Sequence, residues 1–239
     1  MGIRTAKEII VGADSKAIRG GDKSKPEIVC KIQQVGTAFH AAANVTEDPE
    51  TNFNVLAIVK DVFQMKASIL EKADRFTSLV VPPLTRFLEN IKRNHPETYH
   101  QEFQGKHTLD VVFFGMESDV PVVHLRSFVA SDIGPFAVSV AIMKKNCPGD
   151  CETDLYFSLG HHDAIDTFLK ENPFFWQRTT IIEGIRFLVT IEATMNPDDV
   201  GLPIDLIHLS KDGVEWIQKK NQCLDIQTDR EPKRNLPMR

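Results

Sequence analysis

"EIIVGADSKAIRGG" (Glu8–Gly21) sets the reading of the chain. Ile9, Ile10 and Val11 are β-branched strand formers, and Gly12 and Ala13 carry almost no side chain. Asp14 then ends the apolar run, and Gly20-Gly21 turn the chain. Extended segments follow in "EIVCKIQQVG" and "TAFHAAAN" (Thr37–Asn44), separated by turn residues, so an antiparallel meander is expected. From Asn52 to about Phe76 the apolar residues fall at helical spacing (Leu56, Val59, Phe63, Ala67, Leu70), with Thr51 or Asn52 as N-cap. "VVPPLTRFLENIKRN" reads as a second helix with Pro82-Pro83 in its first turn.

Strands return at 109–117, 120–131, 136–145 and 155–160, followed by a short helix over Ala164–Lys170 and a longer one within 178–195. "PIDLIHLSKDGVEWI" closes the pattern as a hairpin turning at Lys211-Asp212-Gly213. Runs of strands separated by runs of helices exclude a simple alternating parallel sheet. Two sheets packed face to face with helices outside would bury this pattern. One domain over residues 1–222 is expected, with 223–239 a polar, flexible tail.

The 239 residues carry a net charge of −5 and no long basic block, which argues against nucleic-acid binding. No apolar run reaches the roughly 18 residues of a membrane helix, and no signal peptide is visible. Cys30, Cys147, Cys151 and Cys223 make no disulfide framework for a chain of this size, so free thiols and a cytoplasmic location are expected. "CPGDC" (Cys147–Cys151) reads as turn thiols, with a redox switch or a metal site as alternatives.

"GIRTAKEIIVGADSKAIRGG" resembles the opening of proteasome-type subunits, in which a strand ends in small-small-Asp. "KIQQVGTAFHAAAN", "YFSLGHHDA" and "IEATMNPDDVGLPIDLIHLSKDG" are similar to the later blocks of that family, in the same order. The resemblance implies an α+β fold, a four-layer α/β/β/α sandwich of two antiparallel sheets flanked by helices. It implies a threonine peptidase of the N-terminal nucleophile hydrolase type, needing no cofactor or metal. The expected partners are a peptide or unfolded-protein substrate and further copies in a self-compartmentalising ring, with no nucleic acid and no membrane.

In such a mechanism an N-terminal threonine hydroxyl attacks the amide and its own α-amine takes the proton. A lysine ammonium favours the deprotonated forms, a carboxylate holds the lysine, and backbone N–H groups stabilise the oxyanion. Carried over by position, Asp14 matches the carboxylate, Lys31 the lysine, Asp198 or Asp199 the loop carboxylate that orients the N-terminus, and Gly160 the first glycine of the strand before the helix. His40 and His161 take positions beside the substrate. If they converge, a pH-sensitive or metal-binding pair results.

Only thirteen residues precede Asp14, and the nucleophile is not among them. Thr5 lies within the chain and has no α-amine to serve as base. Three readings follow: a peptidase whose threonine lies upstream of Met1, a catalytically inactive ring-forming or binding subunit of the same fold, or another amide hydrolase of the same superfamily. Each residue also has a plain alternative. Asp14 can cap a turn, Lys31 can be a structural ion-pair partner, and His161-His162-Asp163 can start a helix.

Overall fold

In a computed structural model of the chain, described over residues 1–17, 26–151, 154–220 and 223, the opening stretch is a hairpin. Strand β1 (Gly2–Arg4) runs antiparallel to β2 (Glu8–Ala13), with Gly2 opposite Val11 and Ile3 opposite Ile10. Thr5 makes the turn: its hydroxyl oxygen accepts from the amides of Lys7 and Glu8. A second hairpin pairs β3 (Ile32–Val35) with β4 (Ala38–Asn44). Helices α1 (Val55–Phe63), α2 (Ile69–Asn94) and α3 (Pro96–Glu102) follow. Then come three long strands, β5 (His107–Glu117), β6 (Val120–Asp132) and β7 (Val138–Cys147). Strand β8 (Leu155–Phe157), helices α4 (Asp163–Glu171) and α5 (Ile181–Met195), and strands β9 (Asp205–Ser210) and β10 (Gly213–Gln218) complete the order.

The strands form two five-stranded antiparallel sheets, ordered β8-β1-β2-β9-β10 and β7-β6-β5-β4-β3. The two early hairpins therefore belong to different sheets, not to one meander. Both edges of β2 are taken by β1 and β9, which leaves no ladder for β3 to join. Mixed α/β architecture with antiparallel sheets is thus the coarse fold.

Alternation in the strands assigns the apolar side chains to three clusters. Leu109, Val111 and Phe113 of β5 pack with Val59, Phe76 and Leu84 of α1 and α2. The intervening Val112 and Phe114 pack with Phe39 of β4, Ile9 and Val11 of β2, and Ile207 and Leu209 of β9. Ile10 and Leu206, on the opposite face of the first sheet, pack with Ile185 and Val189 of α5. Strand β5 is apolar on both faces, which is why "LDVVFFG" reads as a continuous run.

The helical boundaries differ from the sequence expectation. Asn54 caps α1, its Oδ1 accepting from the Ala57 amide at 2.8 Å. The chain breaks after Phe63, and Ser68 opens α2 through a reciprocal capping box with Glu71. Pro82 and Pro83 then lie inside α2 rather than at its start. An interior proline costs about 3 kcal/mol or more. The buried face continues on both sides of the pair, from Ala73, Phe76 and Val80 to Leu84, Phe87 and Leu88, and that burial offsets the lost hydrogen bonds.

Gly12 lies within β2, where its missing side chain admits a close neighbour. That neighbour is α5: a Cβ at Gly12 would stand 2.5 Å from Cγ2 of Ile185. Gly12→Ala is expected to destabilise the fold by about 1–3 kcal/mol through overpacking. Chemical denaturation reads this directly, and Gly12→Ala/Ile185→Leu, which lacks the Cγ2 methyl, should recover part of the loss.

Candidate functional site

Asp14 follows the last residue of β2, and its two oxygens have separate partners. Oδ1 accepts from Lys31 Nζ at 2.6 Å. Oδ2 accepts from the amides of Lys16 at 2.9 Å and Gly201 at 3.2 Å. The Lys16 contact is the local turn expected of an aspartate. The Lys31 and Gly201 contacts bring two distant segments to the same carboxylate. Lys31 sits immediately before β3, and the Val29 amide donating to Ser15 O at 2.8 Å holds its approach to β2. The structure therefore brings Asp14 and Lys31 together.

The first residue of the chain lies beside them. The Met1 ammonium donates to Gly12 O at 2.8 Å, and Met1 O accepts from the Gly12 amide at 2.9 Å. Burial pushes this α-amine from 8.0 down to about 6; the Asp14 carboxylate pulls it upward and the Lys31 ammonium pushes it further down. In this position the Met1 α-amine is thus largely neutral near pH 7.

A second ion pair supports the first. Lys220 Nζ lies 2.9 Å from Asp205 Oδ2, and both side chains are only 1% exposed. The same ammonium donates to Val29 O at 2.9 Å and Asp14 O at 3.3 Å. Asp205 Oδ1 accepts from the Lys220 amide at 2.8 Å. Asp205 stands opposite Ala13 in the β2–β9 ladder, next to Asp14. Sequence reasoning missed this pair, because neither residue carries a local signal and 15 positions separate them.

The cysteines are not free thiols, which corrects the sequence expectation. Cys30 is bonded to Cys223 with 5.7 Å between their Cα atoms, and Cys147 to Cys151 with 5.3 Å. In the second pair, the turn joining the two residues places them at bonding range, with the Asn146 amide donating to Asp150 Oδ2. In the first pair, the segment before β3 meets the chain after β10. Cys223, the first residue of the expected flexible tail, is thereby tied to the fold; positions 224–239 lie outside the described residues. The thiol argument for a cytoplasmic location falls with this pairing. Among the described residues, no helix is long and apolar enough to cross a membrane.

The loop after α5 contributes through its backbone. Gly201 reaches Asp14, whereas Asp198 is exposed and Asp199 Oδ2 lies 4.0 Å from His161 Nε2. Gly160, at φ +71°, lies against the end of β4; a Cβ there would stand 3.1 Å from Ala43 Cβ. This close approach forms one wall of a cleft of about 260 Å³, shared by Asn44, His107, Asp110, His161 and His162. Asp110 accepts from Asn44 Nδ2 and His107 Nδ1, each at 3.0 Å. His162 occupies the N-cap position of α4 without a capping bond, its Nδ1 set 2.8 Å from Asp166 Oδ2. Among the described residues, no group of three or more His, Cys, Asp or Glu is arranged to hold a metal ion.

His40 does not line this cleft. It is 3% exposed, stands opposite Phe113 and Gln33, and its ring centroid lies 5.7 Å from that of Phe63. Burial pushes it from 6.5 down to about 4, and its Nδ1 has no hydrogen-bond partner. Alternation explains the placement: Phe39 and Ala41 face the opposite sheet, so His40 faces the helices. In comparisons with known proteins, no family model and no curated protein matches the chain.

Proposed function

We propose that this chain is a proteasome-type subunit: a four-layer α/β/β/α sandwich of N-terminal nucleophile type that hydrolyses peptide bonds with an N-terminal threonine placed upstream of Met1. The observation that carries the reading is the Asp14–Lys31 pair at the open end of the β1–β2 ladder. The three apolar clusters support the layering, with one between the sheets and one beneath each set of helices. Continuing the register of Gly2 opposite Val11 puts Met1 opposite Gly12, and the second residue upstream opposite Asp14. A threonine at that second position, or one further, would bring its hydroxyl and α-amine to the Lys31 ammonium.

The chemistry then follows from charge. Lys31 lowers the cost of an alkoxide and of a neutral amine, and Asp14 keeps Lys31 oriented. The amine takes the hydroxyl proton as oxygen attacks the amide carbonyl, and returns it to the leaving nitrogen. In this reading the cleft beside Gly160 receives the substrate chain. Thr5 has no part in this, because its hydroxyl is engaged in the β1–β2 turn.

The test is a chain carrying a two- or three-residue upstream extension that begins with threonine, assayed on fluorogenic peptide amides. Hydrolysis is expected, and Thr→Ala or Lys31→Met is expected to lower it by roughly a hundredfold or more. A folded, extended chain that cleaves nothing overturns the peptidase reading in favour of a non-catalytic ring-forming or binding subunit. Sedimentation addresses assembly. Ile133 and Phe136, 67% and 59% exposed, are apolar groups that contact between copies would cover. A monomer at micromolar concentration removes the ring.

A further inference from the structure

The Cys30–Cys223 bond joins two segments that both serve the Asp14 cluster, across a sequence separation of 193. Cys30 directly precedes Lys31, whose ammonium holds Asp14. Cys223 closely follows Lys220, and its amide donates to Lys220 O at 2.9 Å. Lys220 in turn binds Val29 O, one residue before Cys30, and Asp14 O. The disulfide is therefore the covalent member of a closed loop of contacts: Cys30, Val29, Lys220, Cys223. Its two sulfurs differ in access, since Cys30 is half-buried and Cys223 is 3% exposed.

We propose that Cys30–Cys223 is a reversible thiol–disulfide switch: the bonded form holds Lys31 and Lys220 in place at Asp14, and reduction by a dithiol releases them and turns the site off. The catalytic half of this rests on the hydrolase reading above; the structural half does not. A thiolate of the reductant attacks the accessible Cys30 sulfur, forming a mixed disulfide there and expelling Cys223 as thiolate. The reductant's second thiol closes its own disulfide and frees Cys30 as thiolate. Two electrons pass from the dithiol to the protein, and the two protons it gives up protonate the freed cysteines.

Reduction also changes the hydrogen bonding around Lys220. The Cys223 sulfur lies 4.0 Å from Asp205 Oδ2, the oxygen paired with Lys220. A bonded sulfur has no proton to give, whereas the freed Cys223 thiol can donate to Asp205 Oδ2 in competition with the Lys220 ammonium. With Asp205 shared, the ammonium is held less firmly at Val29 O and Asp14 O, and the backbone that carries Lys31 loses two restraints together. A bond of this kind in a reducing compartment is a sensing one. Cys147–Cys151 spans a sequence separation of only 4, holds its own turn, and serves as the internal control.

The experiment treats the full chain with dithiothreitol at graded ratios to its oxidised form, verifies each bond by intact mass, and labels amines briefly with an acetylating reagent. Labelling at Lys31 and Lys220 is expected to rise about tenfold when Cys30–Cys223 opens, as local protection is lost. Lys170 on α4 should not change. Cys30→Ser and Cys223→Ser should reproduce the rise without reductant, and Cys147→Ser/Cys151→Ser should not. Circular dichroism guards against a misfolded variant, and the reduced wild-type chain gives the same information without mutation.

Unchanged labelling after verified reduction overturns the proposal. So does peptide hydrolysis, in the threonine-extended chain, that is equal in both redox states. A labelling rise with no hydrolysis in either state supports the structural switch and rejects the hydrolase reading instead.

Discussion

Lys220→Met is expected to destabilise the fold by about 3–5 kcal/mol, the cost of leaving one member of a buried ion pair alone. Both partners are 1% exposed, and no solvent reaches Asp205 to replace the ammonium at 2.9 Å. The substitution also strips a donor from Val29 O and Asp14 O. Burial pushes the Lys220 ammonium below its usual range even though Asp205 and Asp14 pull it up. Desolvation thus opposes the attraction, and a buried pair of this kind adds little over apolar residues of similar volume. The double substitution Lys220→Met/Asp205→Leu should therefore be less damaged than Lys220→Met alone. Denaturant midpoints with circular dichroism measure all three proteins. A loss below about 1 kcal/mol in Lys220→Met would show that water or another cation reaches Asp205. Lys31→Met is the contrast. Its pair with Asp14 is partly exposed, at 24% and 13%, so its loss is expected to cost the fold far less.

These two lysines mark how far the sequence is legible. The apolar run Ile9–Val11, ending in Gly12-Ala13-Asp14, announces a strand and a terminal carboxylate, and β2 ends at Ala13 as that pattern requires. The hairpin at Lys211–Gly213 and the helix capped by Thr180 are equally local, and both are present. Lys31 could be placed near Asp14 through the family resemblance. Lys220 could not, because its partner Asp205 is fixed by ladder register and burial, which no local window contains. The Cys30–Cys223 bond failed to register for the same reason, at a much larger separation. Pro82-Pro83 misled through a rule that is correct locally: proline suits a first helical turn, yet here the buried face of α2 continues on both sides of the pair. Helix α3 has a single buried side chain, Tyr99, and so no apolar periodicity to find. His40 was placed correctly on a strand but assigned to the cleft. The face it occupies depends on which neighbours, Phe39 and Ala41, meet the other sheet.

That buried placement of His40 makes the fold acid-sensitive. Its ring is held neutral because burial lowers the protonated form's stability, moving it from 6.5 to about 4. In the unfolded chain the ring protonates below about pH 6.5, while in the fold it stays neutral until about pH 4. The unfolded state therefore binds more protons across that window, and stability falls as pH falls from 6.5 to 4. The full contribution is about 3 kcal/mol at 1.36 kcal/mol per pH unit, with no further loss from this group at lower pH. Carboxylates titrate in the lower part of the same range, so the difference between two proteins is the informative quantity. His40→Leu removes the titrating ring and the unpartnered Nδ1 beside Phe63. It is expected to match or exceed the parent's stability at pH 7, and to open a gap of about 3 kcal/mol in its favour by pH 4. Urea unfolding at pH 7.0, 5.5 and 4.5 measures the gap. Parallel pH profiles for the two proteins would mean that the His40 ring reaches water in the fold, contrary to its packing between β4 and α1.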